Sequence, residues 1–268
     1  MTPSDKWKNL GWKHPVWKLV RYFCSLARRK KEQAAWLTGL ELTNQMKVGS
    51  SAILPIDPEH VKLFFAYLKD REVNEAGVYS MLRTEDQAVK ACTDRQFKVE
   101  FTKTKNKDHH QSPKAVVSLV NGIVEQVCRS RGVTYDSNPQ SRCVWCTERR
   151  LHVTARNMDG AIPGLANPVV VWEHKEYWGG TEGGSKMSDA VYECQLVGRE
   201  LREFEEVTGV NVVHIVFVDG LAQWTARRSD LKRFVDLTNQ GFIDHLLVGT
   251  EIEIAFQTIL SDILVSQK

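Results

Sequence analysis

The chain has 268 residues, of which 42% are apolar and 26% charged, a balance that excludes a disordered polymer. No apolar run reaches the roughly 18 residues of a membrane span, and the N-terminus lacks the apolar stretch and cleavage site of a secretory signal. Six irregularly spaced cysteines make no disulfide framework, so no membrane and a reducing cytoplasm are expected.

The net charge of +3 hides an asymmetry: residues 1–31 hold nine Lys and Arg against Asp5 alone, so this segment is +8 and the remainder −5. Lys18, Arg21, Arg28, Arg29, Lys30 and Lys31 are the candidates for contact with a phosphate backbone. Trp7, Trp12 and Trp17 run through the same stretch, either as base-stacking groups or as side chains packed on the body of the protein. Residues 14–48 have helical spacing through Val16, Leu19, Val20, Phe23 and Leu26. Gly49–Pro58 is a break, Asp57-Pro58 opens a second helix, and a short helix is expected over Thr84–Cys92. A second basic patch, Lys98, Lys103, Lys105 and Lys107 before His109-His110, reads as a strand and an exposed loop, whose lysines either meet phosphate or are simply solvated. Residues 1–110 are therefore expected to form a mainly helical, basic region that helps to hold nucleic acid.

From residue 112 helices and strands alternate. Ser112-Pro113 starts a helix buried through Val116, Leu119, Val120, Ile123 and Val127, which Gly132 ends. Leu151–Asn157 reads as a strand with Leu151, Val153 and Ala155 turned inward, and Pro168–Glu176 as a central strand. Ser188–Val207 is an amphipathic helix through Val191, Cys194, Val197, Leu201 and Phe204; Val210–Val218 is another buried strand. Residues 229–264 read as a helix, a short polar turn and a helix. The fold class is α/β, with residues 111–268 forming a mixed central sheet flanked by helices.

The chemistry-bearing stretch is Asp159-Gly160 followed, fourteen residues after the aspartate, by Glu173-His174-Lys175. Glu173 and Lys175 are two apart on a strand and leave the same face, where the apolar run Val169–Trp172 gives way to polar residues. Antiparallel pairing would bring Asp159 beside Glu173. Two neighbouring carboxylates repel, so the arrangement invites a hard cation with oxygen ligands, Mg²⁺ first. A lysine beside such a pair suits phosphodiester hydrolysis, orienting or deprotonating water and offsetting developing charge.

In the order helix, strand with acid, strand with Glu-x-Lys, helix, strand, residues 112–220 resemble the PD-(D/E)xK nuclease superfamily, the fold of many type II restriction endonucleases. The resemblance implies a restriction-endonuclease-like sheet and makes Asp159 and Glu173 metal ligands, with the His174 backbone carbonyl as a third. It makes Lys175 the catalytic lysine. It suggests a further acid on the first helix, Glu125, and a glutamine or acid on the helix after the lysine strand, Gln195 or Glu193. Met158 stands where the superfamily often has proline, and Asp136 and Glu148 are substitutes for the first acid. The implied activity is Mg²⁺-dependent cleavage of double-stranded DNA, in restriction or phage defence, by a homodimer. Two other classes stay open, a non-catalytic nucleic-acid-binding module and a protein-interaction component.

Three further patterns have weaker implications. Cys143-x-x-Cys146 has half of a zinc spacing, with Cys128, His152 or His109-His110 to complete it, or is a packed turn. His214, inside an apolar strand, reads as a satisfied core histidine. Tyr177–Met187 holds four glycines but no Walker A lysine, and is either a closing loop or a long connection.

Overall fold

The computed structural model describes residues 1–49, 52–102, 112–148, 150–179 and 184–266. Three helices come first, α1 (Asp5–Lys8), α2 (Val16–Ser25) and α3 (Lys30–Thr43), then the antiparallel strands β1 (Gln45–Val48) and β2 (Ala52–Pro55). Helices α4 (Pro58–Met81), α5 (Glu85–Asp94) and α6 (Ala115–Arg131) lead to β3 (Asp136–Ser141). Strands β4 (Val144–Cys146), β5 (Leu151–Val153), β6 (Met158–Ile162) and β7 (Val170–Glu176) follow. The chain continues through α7 (Gly184–Thr208), β8 (Val213–Asp219), α8 (Leu221–Ala226), α9 (Arg228–Asn239), β9 (His245–Val248) and α10 (Thr250–Ser266).

Local chemistry sets the helix ends. Asp57 accepts from the Glu59 amide at 2.8 Å, with Pro58 at the first helical position, and Thr84 and Gln87 form a reciprocal capping box on α5. Gly132 closes α6 in the left-handed conformation that only glycine adopts cheaply.

The main sheet has five strands in the order β3-β6-β7-β8-β9. β3, β6 and β7 pair antiparallel; β7, β8 and β9 are parallel, with α7 and then α8–α9 as the crossovers that parallel neighbours require. β4 and β5 form a small hairpin inserted between β3 and β6. The alternation along β7 divides its side chains between two cores. Val170 and Trp172 pack with α6 and α10, including Ile123, Phe256 and Leu260. Val171 faces Val197 and Leu201 of α7, so Glu173 and Lys175, on the same side as Val171, also face α7. Gly160 lies across the ladder from Trp172, and a Cβ there would fall 1.8 Å from the indole, so glycine is what lets the two strands close beside Asp159.

Several expectations are corrected. The helix read over residues 14–48 is two helices followed by β1, and the break at 49–58 contains β2 of a hairpin. The strand read over Leu151–Asn157 is shorter, β5 alone, with residues 154–157 connecting it to β6, and its facing is reversed. Leu151 is 70% and Val153 41% exposed, while Thr154 is buried with its hydroxyl tied to the Cys143 amide and the Arg156 carbonyl. β3 carries no apolar alternation: it is an irregular edge with Asn138 and Gln140 at positive φ. The turn expected between the last two helices is β9. The region boundary expected near 110 does not divide the packing. Ala88 and Cys92 of α5 belong to the core beneath the sheet, whereas the separate N-terminal core runs from Trp7 to Tyr67.

Trp7 and Trp17 are interior, each edge-on to Tyr67 at 5.1 Å, and Trp12 packs on Phe242. The open question about the tryptophans is thus settled as packing. The N-terminal helices are tied to the sheet region through α4, where Arg71 grips both Asp236 oxygens at 2.6 and 2.7 Å and the Tyr67 hydroxyl donates to the same carboxylate at 2.6 Å.

Candidate active site

The β6–β7 register pairs Gly160 with Trp172, so Asp159 and Glu173 come next across the ladder. One Asp159 oxygen accepts the His174 amide at 2.8 Å, which fixes the carboxylate against β7. Lys175 Nζ lies 2.7 Å from Glu173 Oε2 and 2.9 Å from Glu193 Oε2 on α7. Glu193 Oε1 is in turn 2.7 Å from the Arg156 guanidinium. A line of alternating charge, Glu173–Lys175–Glu193–Arg156, therefore runs from the interior to the surface. Glu173 is 3% and Lys175 7% exposed, and Asp159 and Arg156 are more open.

Behind Glu173 stands His214 of β8. Its Nδ1 lies 2.9 Å from the Phe242 carbonyl, and its Nε2 3.6 Å from Glu173 Oε1. Nε2 and Oε1 have no hydrogen-bond partner, so the expectation of a satisfied core histidine holds for one ring nitrogen only.

Burial works against every charge here, and the neighbours decide the outcome. Burial alone would raise the Glu173 carboxyl, but Lys175 and His214 hold it down at about 2. Burial also opposes the Lys175 ammonium, yet the Cys194 sulfur and the Glu173 and Glu193 carboxylates keep its affinity for the proton well above the ordinary lysine value. Asp159 is raised by burial, against the pull of the His174 amide and Lys175. On the other face of β7, burial and then the Lys175 charge push the His174 imidazole down to about 3. Burial carries Glu176 up to about 7 although its carboxylate accepts from the Val116 amide and the Trp178 indole.

Of the expected site residues, Asp159, Glu173, the His174 backbone and Lys175 come together. Glu125 does not: it lies on the solvent-facing side of α6, paired with Arg129 at 3.0 Å, on the opposite side of the sheet from Glu173 and Lys175. Gln195 does not either. Two residues past Glu193 is about 200° around a helix, and Gln195 points to the flank of α7 that faces α2 and α9. Glu193, the other possibility on that helix, is the one at the lysine. Asp136, on β3, accepts the Leu165 amide and Glu148 lies in the turn of the β4–β5 hairpin, so Asp159 is the acid the fold sets beside Glu173. Lys18, Arg21, Arg28, Arg29, Lys30 and Lys31 are exposed on α2, the turn after it and the start of α3, with Arg29 paired to Glu32. Lys103, Lys105, Lys107, His109 and His110 lie outside the described residues, as does part of the glycine loop at 180–183.

Arg156 and the contact between His214 and Glu173 escape a reading of the sequence. The one signal for Glu193 is its place on a flank of the apolar stripe Val191, Cys194, Val197, and Gln195 has the equivalent place on the other flank.

A hard cation such as Mg²⁺ needs only one or two carboxylates, with water and phosphate oxygens completing its shell. Asp159 and Glu173 supply that much, and one Asp159 oxygen accepts no hydrogen bond among the described residues. Among those residues no group of three His, Cys, Asp or Glu side chains is gathered to hold a metal. That includes Cys143 and Cys146: Cys143 is buried, with burial raising its thiol to about 12, and Cys146 is exposed at the far end of β4.

Residues 73–263 match the family described as Domain of unknown function (DUF7687), and the chain belongs to that family. The match begins within α4 and takes in the whole main sheet, leaving α1–α3 and the β1–β2 hairpin outside it. No curated protein and no solved structure matches the chain. Among the described residues no helix is long and apolar enough to cross a membrane.

Proposed function

We propose that the chain is a Mg²⁺-dependent endonuclease of the PD-(D/E)xK type that hydrolyses DNA phosphodiester bonds. The observation that carries this reading is Lys175 held at Glu173 on the strand beside Asp159. The order α6, antiparallel β3–β6–β7, crossover α7, parallel β8 supports it as the restriction-endonuclease-like arrangement expected of the sequence.

Asp159 and Glu173 are the residues to hold Mg²⁺, which when bound polarises a phosphoryl oxygen and acidifies water. Lys175 keeps its proton at neutral pH, so it acts as a donor: it orients the attacking water and offsets charge on the phosphoryl oxygens, and does not serve as the base. Glu193 and Arg156 fix the ammonium from the solvent side, while Glu173 fixes it from within. A homodimer matches the two-fold symmetry of duplex DNA, and restriction or phage defence in the cytoplasm is the setting that suits such an enzyme. Free thiols at all six cysteines support a reducing compartment.

The rival reading, a non-catalytic nucleic-acid-binding module, draws on the neutralisation of Lys175 by two carboxylates. Supercoiled plasmid with Mg²⁺ separates the two. The wild type cuts, and Glu173→Ala and Lys175→Ala cut at least about 100-fold more slowly. Equal cleavage by all three overturns the site, and DNA binding without cleavage by the wild type favours the binding module.

A further inference from the structure

A cavity of about 880 Å³ lies between the end of α2, the start of α3, α4 and the start of α9. Across Cys24, Ser25 and Arg233, which line both, it joins a second of about 490 Å³ between α2, α7 and α9. Together they form a groove along α2. Arg21, Arg28 and Lys30 stand on one wall, and Arg228, Lys232 and Arg233 on the other.

The balance of charge decides what this groove can hold. Seven cationic side chains line it, counting Arg71, against three carboxylates. Of the three, Asp236 is taken by Arg71 and Tyr67, and Asp230 by Arg227 and Arg233; Glu72 alone has no ion-pair partner among the described residues. Arg228 and Lys232 share Glu75. Among the described residues no carboxylate pairs with Arg21, Arg28 or Lys30, so their charge is available to a ligand. The cations are spread along both walls rather than gathered at one point. From Arg21 to Arg28 the chain advances on the order of 10 Å, enough for the two to meet different phosphates of one strand, whose charges advance about 3.4 Å each along a stacked axis.

A second observation lies where the groove meets α7. Tyr192 is 59% exposed there, with the Arg233 guanidinium 4.3 Å from its ring centroid. An exposed aromatic face beside an arginine is a platform for a nucleobase.

We infer that this groove binds a single-stranded phosphodiester backbone, with phosphates on Arg21, Arg28 and the α9 cations and a base stacked on Tyr192. The inference rests on the nuclease reading for its substrate, but it concerns a different surface. The groove borders the flank of α7 that carries Gln195, and Lys175 contacts the opposite flank through Glu193. Strand capture and strand cleavage are thereby separable.

The test is fluorescence anisotropy of the full chain with a labelled deoxyoligonucleotide of about 12 nucleotides, a length within the range of single-strand site sizes. It is run single-stranded and as a duplex over a range of salt, beside a cleavage assay. Arg21→Glu with Arg28→Glu changes exposed side chains that form no ion pair among the described residues, so the fold is expected to persist, as a thermal melt checks. This variant weakens single-strand binding at least 10-fold and lowers the log–log salt slope by about 1.4, the loss of two phosphate contacts. Tyr192→Ala weakens single-strand binding about 10-fold and leaves duplex binding unchanged. Wild-type affinity and salt slope in the double variant overturn the groove, even if the wild type cuts DNA. Equal loss of duplex and single-strand binding in Tyr192→Ala overturns the single-strand assignment. Groove-dependent binding by a wild type that cuts nothing upholds the groove and sinks the hydrolytic reading instead.

Discussion

His214 Nε2 and Glu173 Oε1 face each other at 3.6 Å in the protein interior, and neither has a hydrogen-bond partner. The other ring nitrogen is 2.9 Å from the Phe242 carbonyl; a carbonyl only accepts, so Nδ1 carries a proton and fixes the ring's orientation. The imidazole thus closes the rear of the candidate site and packs β8 against the glutamate of β7. His214→Ala leaves a cavity and an exposed edge on Glu173, and is expected to cost about 2–4 kcal/mol in urea denaturation. An unchanged midpoint contradicts that role.

Lys175→Met strands Glu173 as a buried charge without its cation. The expected loss is about 3–5 kcal/mol, much of it recovered when Glu173→Gln is added to the same chain. A double-mutant cycle on urea midpoints measures the coupling, and additivity of the two changes contradicts the pairing.

Asp236 on α9 receives Tyr67 and Arg71 from α4, so one carboxylate joins the N-terminal helices to the sheet region. Asp236→Ala leaves the Arg71 guanidinium buried and unpaired. Equilibrium unfolding is expected to show a loss of about 3–5 kcal/mol. The same stability in the variant contradicts the joint.

Glu176 provides a pH-dependent prediction. Burial raises its carboxyl from the ordinary 4.5 to about 7 in the folded chain, so folding favours the protonated form. Its contribution is complete below the unfolded value and is lost as pH rises through 7. His174 acts in the opposite sense: its folded value of about 3 means that stability is lost as pH falls below the ordinary 6.5. The wild-type curve contains both, and Glu176→Gln removes only the first. Relative to wild type, the variant is expected to gain on the order of 2–3 kcal/mol between about pH 5 and pH 8. A pH-independent difference in melting contradicts the assignment.

The parts of this molecule legible in sequence are those where one local rule dominates. Asp57-Pro58 starts α4, Gly132 stops α6, and the apolar run before Glu173 makes β7. β3 and β9 were not legible, the first because Asp-Ser-Asn-Pro-Gln-Ser has no alternation, the second because four residues between two helices show no period. The facing of Leu151 and Val153 is not legible because Trp145 and His152, paired across the β4–β5 hairpin, pack on Phe204 of α7 and turn the apolar positions of β5 to solvent. At the site, spacing alone brought Glu173 and Lys175 to one face. The choice of Glu193 over Gln195 depends on which flank of α7 meets Lys175, a tertiary fact. The cationic wall on α9 was missed because Arg228, Lys232 and Arg233 lie about two hundred residues from the basic N-terminus they face.

Asp159 offers the most direct test of the hydrolytic site, because it is part-exposed and asparagine keeps a carbonyl to accept the His174 amide. The measurement is the single-turnover rate of duplex DNA cleavage by wild type and Asp159→Asn across a Mg²⁺ series, with a chelator control. The account predicts cleavage that requires Mg²⁺ and falls at least about 100-fold in the folded variant. Cleavage that survives the chelator, or that Asp159→Asn leaves at the wild-type rate, would contradict it.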